Sequence, residues 1–394
     1  MSFSLTRRQA LAGLAASLPL AGCADGSVLA PVVPAADAMV PSPSLNALAM
    51  RSGRRFGSAV ASNASGRGGS VQNPAYAAIV AGECGLVVPE NEMKWQATRP
   101  GPEAFDFARM DAIVAWAQAQ SIAVRGHTLL WHRPQWFPEW LNNYDFGANP
   151  VQEAERLLTT HIRTVTDRYR GVITSYDVVN EAIDHDRNAP IETSLSRAMG
   201  SPEAVLDLAF HTARAQLPQG ELVYNDYMSW EPAHRKHCAD VLRLLEGFRK
   251  RNVPVDALGI QSHIEMYSID PATGVGPYDE REWRRFLDEV TAMGYKLLIT
   301  EFDVKDKALP SDIALRDERV ADFSRRYFDL MLEYEQLGDV LAWGMVDGFS
   351  WLQGFAPRDD GMEVRSCPYG SDYRPKPLRE AIAASFTGAE ARKT

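Results

Sequence analysis

Short runs of apolar and β-branched residues recur along the chain at 56–60, 86–88, 122–126, 176–179, 222–224, 258–260, 297–300 and 340–343. Between them the apolar positions take up helical spacing. Phe107, Met110, Ile113, Val114 and Ala117 fall on one face, and Val205, Leu206, Ala209, Phe210 and Ala213 on another. Trp283, Phe286, Leu287 and Val290 repeat the pattern, as do Val320, Phe323, Tyr327, Leu330, Met331 and Tyr334. Short apolar runs alternating with helical stripes predict strands and helices in turn, and hence a parallel α/β sheet. Such a sheet either closes into a (β/α)8 TIM barrel or stays open and doubly wound. The first strand runs into Ala59-Val60-Ala61-Ser62 and lacks the glycine-rich phosphate turn of the open nucleotide-binding folds. A closed barrel with a single catalytic domain over residues 46–386 is the expectation.

The ends of the chain read differently. Arg7 and Arg8 precede a small apolar run from Ala10 to Ala21, the layout of an export signal of twin-arginine type. The run is too short for an ordinary membrane span. It ends in Leu20-Ala21-Gly22-Cys23, which resembles a bacterial lipobox and makes Cys23 a candidate for lipidation. Residues 1–23 are therefore assigned to a signal segment. Residues 24–45, with Pro31, Pro34, Pro41 and Pro43, form a linker, and 387–394 a C-terminal tail. These features predict an exported bacterial protein that is periplasmic, outer-membrane-anchored or secreted. Ala24 after the cysteine gives no signal for inner-membrane retention. Contact with a membrane is expected only through the lipid.

Composition narrows the chemistry. Among 394 residues the formal net charge is -10, which repels phosphate backbones and argues against nucleic acid as a partner. Neutral polysaccharide is compatible with that sign. Cys84, Cys238 and Cys367 are far apart and odd in number, so one disulfide at most can form and buried thiols are expected. His234 and His237 could share a helix face, but no third ligand stands near, so no metal is expected.

In a parallel barrel, reactive side chains collect where strands end and βα loops begin. Tyr176-Asp177-Val178-Val179-Asn180-Glu181 and Leu297-Leu298-Ile299-Thr300-Glu301-Phe302-Asp303 each deliver a glutamate at the end of an apolar run, in the fourth and seventh strands. Either glutamate alone could be a strand-end salt bridge. Two carboxylates facing one mouth are what glycoside hydrolysis needs. If they stand about 5–5.5 Å apart, one attacks and the other protonates, and the configuration is retained. So close a pair resists double ionisation, and one carboxyl stays protonated near neutral pH.

These two segments resemble the acid/base and nucleophile signatures of glycoside hydrolase family 10, the xylanase family. They lie 120 residues apart (301 − 181), and the resemblance covers about residues 45 to 386. It implies Glu181 as general acid/base and Glu301 as nucleophile of an endo-β-1,4-xylanase acting on xylan and xylo-oligosaccharides. It further implies that Glu90, Asn91 and Lys94 bind sugar hydroxyls, and that His127, Trp131 and Gln261 contact substrate. Asn180 would touch the 2-hydroxyl. Asn225 would orient the acid/base side. His263 would support the nucleophile and be held by Asp303, and Trp343 and Trp351 would cover the sugar at the cleavage point. Two departures stand out. Arg133-Pro134 occupies a stretch where the family usually has a glutamine, and Gly348 stands where it often has a basic residue. No cofactor is implied, and the chain is taken as a monomer. Trp116 and Trp283 fall within helical stripes and read as core, while Trp136 and Trp140 lie beside the cleft with either role open. A β-1,4-glucanase or exo-xylosidase of the same barrel clan remains open, as does a surface sugar-binding lipoprotein, which would not need both glutamates.

Overall fold

A computed structural model describes residues 40–63, 65, 68–184, 187, 189–266 and 278–392. The signal segment, Cys23 and the linker up to residue 39 lie outside the described residues. The barrel strands are β1 (Phe56–Val60), β2 (Leu86–Pro89), β3 (Ala123–Trp131), β4 (Ile173–Asn180), β5 (Glu221–Asp226), β6 (Ala257–Ile260), β7 (Lys296–Lys305) and β8 (Leu337–Ala342). Each pairs in parallel with the next in sequence. β8 then returns to β1 through Phe56↔Val340, Gly57↔Leu341 and Ser58↔Ala342. That last pairing closes the ring and excludes the open sheet. A short strand, His263–Glu265, runs on beside the outer half of β7.

The sequence pattern follows from this architecture. Parallel strands are covered on both faces, so they read as unbroken apolar runs; every residue of β1 and β2 is buried. The helices Ala108–Ala119, Pro202–Gln216, Glu280–Ala292 and Ile313–Leu332 bury the faces that their spacing predicted. Phe107 and Tyr334 lie one or two residues beyond their helices and pack partly buried against the same core. Trp283 is buried, and Trp116 packs against the core from its rim. Cys84, Cys238 and Cys367 are free and buried.

The ends of the barrel chain are tied down at its base, where the strands begin. Ser44 caps a short helix, Leu45–Arg51, and Leu45 N donates to Glu83 Oε2 at 2.6 Å. Arg379, in the last helix Pro377–Gly388, donates through Nε to Glu83 Oε1 at 2.8 Å and through Nη2 to the carbonyls of Pro41 (3.3 Å) and Pro43 (2.8 Å). Residues 40–45, assigned to the linker by composition, therefore lie against the barrel, and the boundary falls at or before Val40. The last helix and Arg392 likewise carry order past residue 386: Arg392 N donates to Ser52 O at 3.2 Å. Both Glu83 and Arg379 are buried. Removing one partner of a buried pair strands the other charge, at a cost of about 3–5 kcal/mol. Arg379→Ala is expected to lower unfolding stability by about 3 kcal/mol, read as a reduced urea midpoint; an unchanged midpoint would contradict this reading of the pair.

Candidate active site

The two strand-end glutamates meet through a chain of amides. Gln261, just after β6, donates from Nε2 to Glu181 Oε1 at 2.9 Å and to Asn180 Oδ1 at 3.3 Å. Asn225, in β5, donates from Nδ2 to the same Asn180 Oδ1 at 2.9 Å and to Glu301 Oε1 at 2.7 Å. One oxygen thus links the two carboxylates by way of two flanking amides. Thr300 Oγ1 donates to Asn225 Oδ1 at 2.6 Å, so this amide is used at both ends. Gly259 makes room for it: a Cβ there would come within 2.3 Å of Asn225 Oδ1. Glu181 itself has φ 51°, a left-handed conformation that costs a non-glycine residue about 1–2 kcal/mol. Such strain concentrates at functional sites. Its N–H is held by Asn225 O at 2.9 Å.

The carboxylates sit in contrasting surroundings. At Glu301, burial favours the neutral form, but the His263 hydrogen bond and the charges of His127 and His263 outweigh it and hold the carboxyl below its ordinary range. His263 Nε2 lies 3.3 Å from Glu301 Oε2 and its Nδ1 2.9 Å from Asp303 Oδ1. Burial disfavours the charged imidazole, yet Asp303 and Glu301 raise it to about 9. At Glu181, burial pushes the carboxyl up, Arg133 pulls it back, and Asp226 and Glu301 add to the rise. The surroundings push the two acids in opposite directions, Glu301 towards the ionised form and Glu181 towards the protonated one, as a division between nucleophile and proton donor requires.

The remaining candidates surround this pair. Trp131 Nε1 donates to Glu181 Oε2 at 3.1 Å. Lys94 lies over the Trp131 ring at 4.7 Å and donates to Asn91 Oδ1 at 2.9 Å. Burial lowers the Lys94 ammonium, while Glu301, Glu90 and Glu181 support its charge. Burial raises the Glu90 carboxyl, and Lys94 opposes the rise. Asn91 is exposed. His127 is fixed by Asp177 at 2.9 Å, itself bidentate to Arg125. Trp343 meets the rings of His127 and His263 edge-on, at 5.4 and 6.4 Å. Trp351 Nε1 donates to Asp303 Oδ2 at 2.7 Å.

The structure adds three points to the sequence reading. The Asn225 side chain bonds both Asn180, beside Glu181, and Glu301, while its backbone carbonyl accepts from the Glu181 N–H. The Gln261 amide N–H groups go to Glu181 and Asn180. Arg133, noted only as a departure, stands with Nε 3.1 Å from Glu181 Oε2. At Gly348 a Cβ would lie 2.7 Å from Ser371 Oγ, and the adjacent Asp347 pairs with Lys376 at 2.8 Å. Trp136 stacks on Trp131 with centroids 4.5 Å apart, whereas Trp140 packs against Trp95 and the core. His237 bonds Asp226 at 3.0 Å, and His234 accepts from Ser229 N at 3.0 Å.

A profile described as "Glycosyl hydrolase family 10" matches residues 44–385. The chain is similar to endo-1,4-beta-xylanase B of Thermotoga neapolitana, 28% identical over 307 residues that span 78% of this chain and 82% of that protein. It superposes on native xylanase 10B of Thermotoga maritima with a TM-score of 0.75 at 26% identity, covering 87% of this chain and 98% of the other. A variant of xylanase 10C of Cellvibrio japonicus, in complex with xylopentaose, superposes with a TM-score of 0.77 at 25% identity over 89% of this chain and 70% of that one.

The raised His263 value has a consequence for stability. A group whose folded-state pKa lies above its unfolded value contributes stability below the unfolded value and loses it as pH rises through the folded one. For His263 that window runs from about 6.5 to about 9. The stability advantage of the wild type over His263→Gln is therefore expected to shrink between those limits, as read from urea midpoints. An advantage constant with pH would argue against a charged imidazole.

Proposed function

The chain belongs to glycosyl hydrolase family 10, and on that premise we propose that it hydrolyses internal β-1,4-xylosidic bonds of xylan with retention of anomeric configuration. The observation that carries the assignment of roles is the amide chain joining two carboxylates whose ionisation is pushed in opposite directions. The xylanases to which the chain is similar, one of them holding xylopentaose, support xylan over glucan and endo- over exo-cleavage.

In this reading the Glu301 carboxylate attacks the anomeric carbon. The glycosidic bond breaks with its electron pair on the leaving oxygen, which takes the proton from Glu181. With Glu301 esterified its charge is gone, and Glu181 is left as a carboxylate. Water then gives a proton to Glu181 while its oxygen bonds the anomeric carbon, and Glu301 departs as a carboxylate. Two displacements at one carbon restore the original configuration. Asn180 accepts twice through Oδ1, which leaves its Nδ2 to donate to a sugar 2-hydroxyl. Glu90, Asn91, Lys94 and His127 supply polar contacts to sugar hydroxyls. Trp131, Trp343 and Trp351 supply apolar ring faces of the kind that pack on pyranose rings.

The reading extends to location. Arg7-Arg8, the apolar run and Cys23 support export with a lipid on Cys23. Metabolic labelling with an alkynyl fatty acid is expected to tag the protein and to fail in Cys23→Ala; equal labelling of both would refute lipidation.

Activity provides the main test. A 2-fluoro-xylobioside is expected to trap an adduct on Glu301, and NMR should show the β-anomer released first. Glu181→Gln should lower kcat on xylan by about 10²–10⁴-fold, with Glu301→Gln inactive. Release of the α-anomer first, or faster hydrolysis of carboxymethyl cellulose than of xylan, would overturn the assignment.

A further inference from the structure

We propose that Arg133 is a positioning residue of this reaction: its fixed guanidinium charge beside Glu181 stabilises the carboxylate left when the proton is given up, and thereby sets the upper pH limit of catalysis. The proposal rests on the role of Glu181 above and adds a determinant of its behaviour.

The geometry holds Arg133 in place from several sides. Nη2 donates to Ile183 O at 3.1 Å and to the Tyr227 hydroxyl at 3.4 Å, and the guanidinium lies over the Tyr227 ring at 5.5 Å. Tyr227 in turn stacks on His237, centroids 4.3 Å apart, which bonds Asp226. Nε comes within 3.1 Å of Glu181 Oε2 without the alignment of a hydrogen bond, so the contact acts through charge. Both side chains are largely buried, at 18% and 15% exposure, where screening by water is weak.

Other groups face Glu181 from each neighbouring element. Asp226 and Tyr227 do so at the end of β5, Glu301 from β7 and Lys94 after β2; Trp131 and Gln261 donate hydrogen bonds. Asp226 and Glu301 oppose the Glu181 charge and Lys94 supports it. Arg133 is the cation whose ion-pair contact with Glu181 falls within 4 Å among the described residues. An arginine keeps its charge across the whole working range. Its effect is to make Glu181 a stronger acid that is protonated over a narrower span of pH.

The test compares wild type with Arg133→Met and Arg133→Lys, folding being checked by circular dichroism and melting temperature. Arg133→Gln repeats the comparison with a polar stem. In the methionine variant the alkaline limb of the kcat/KM profile on xylo-oligosaccharides is expected to rise by about one pH unit, because a close opposite charge lowers a carboxyl by at least that much. The acidic limb, set by Glu301, should stay in place, and the lysine variant should lie nearer the wild type. A limb that does not move in a folded methionine variant, or that moves as far with lysine as with methionine, would overturn the proposal. A readout free of activity runs in parallel: the Glu181 carboxyl carbon, identified by its loss in Glu181→Gln, should titrate higher in Arg133→Met by NMR. That titration judges Arg133 even if xylan proves not to be the substrate.

Discussion

Two amide groups donate to a single oxygen, Asn180 Oδ1, and that sharing determines where both carboxylates can stand. Neither Gln261 nor Asn225 can shift without breaking a hydrogen bond to its own glutamate. Because each amide has two N–H groups and uses both, no donor is left over to tolerate a slack geometry. Buried polar chains of this sort gain most from being fully satisfied and lose most from a single gap. The barrel serves this chain: β4, β5, β6 and β7 are consecutive neighbours in the ring, so four adjacent strands bring four side chains to one level.

Around that framework, burial acts on both glutamates in the same sense, and what distinguishes them is the company each keeps. Glu301 faces an imidazole that Asp303 holds charged, and Asp303 is shared with Trp351. Glu181 faces one guanidinium, opposed by the charges of Asp226 and Glu301. The difference in proton affinity is therefore built from Asp303, two residues along β7 from Glu301, from His263 and Asp226 at the ends of neighbouring strands, and from Arg133 just after β3.

Much of this was legible in the sequence, for physical reasons. Parallel strands buried on both faces leave continuous apolar runs, and helices covering them leave one apolar stripe, so all eight strands and the helical faces could be read in order. Strand ends also marked the glutamates. What the sequence did not show depends on contacts made far away. Pro41 and Pro43 look like unstructured chain until Arg379, more than three hundred residues later, supplies hydrogen bonds to their carbonyls. That the Asn225 amide spans Asn180 and Glu301 depends on side chains from the two flanking parts of the ring, which the sequence of its own strand does not show. Arg133 meets Glu181 from the end of a different strand, and Glu181 takes a left-handed conformation that its residue type does not announce.

The stitching at the base carries one further meaning. Arg54 donates to the carbonyls of Ser52, Glu390, Leu332, Tyr334 and Leu337, and Arg392 reaches back to Ser52 and Gly53. The two ends of the barrel chain are neighbours, and both lie on the side remote from the carboxylates. A fusion partner, a solid support or a peptide bridge joining one end to the other would therefore meet only the floor of the molecule. A long polymer could still thread across the opposite face unimpeded.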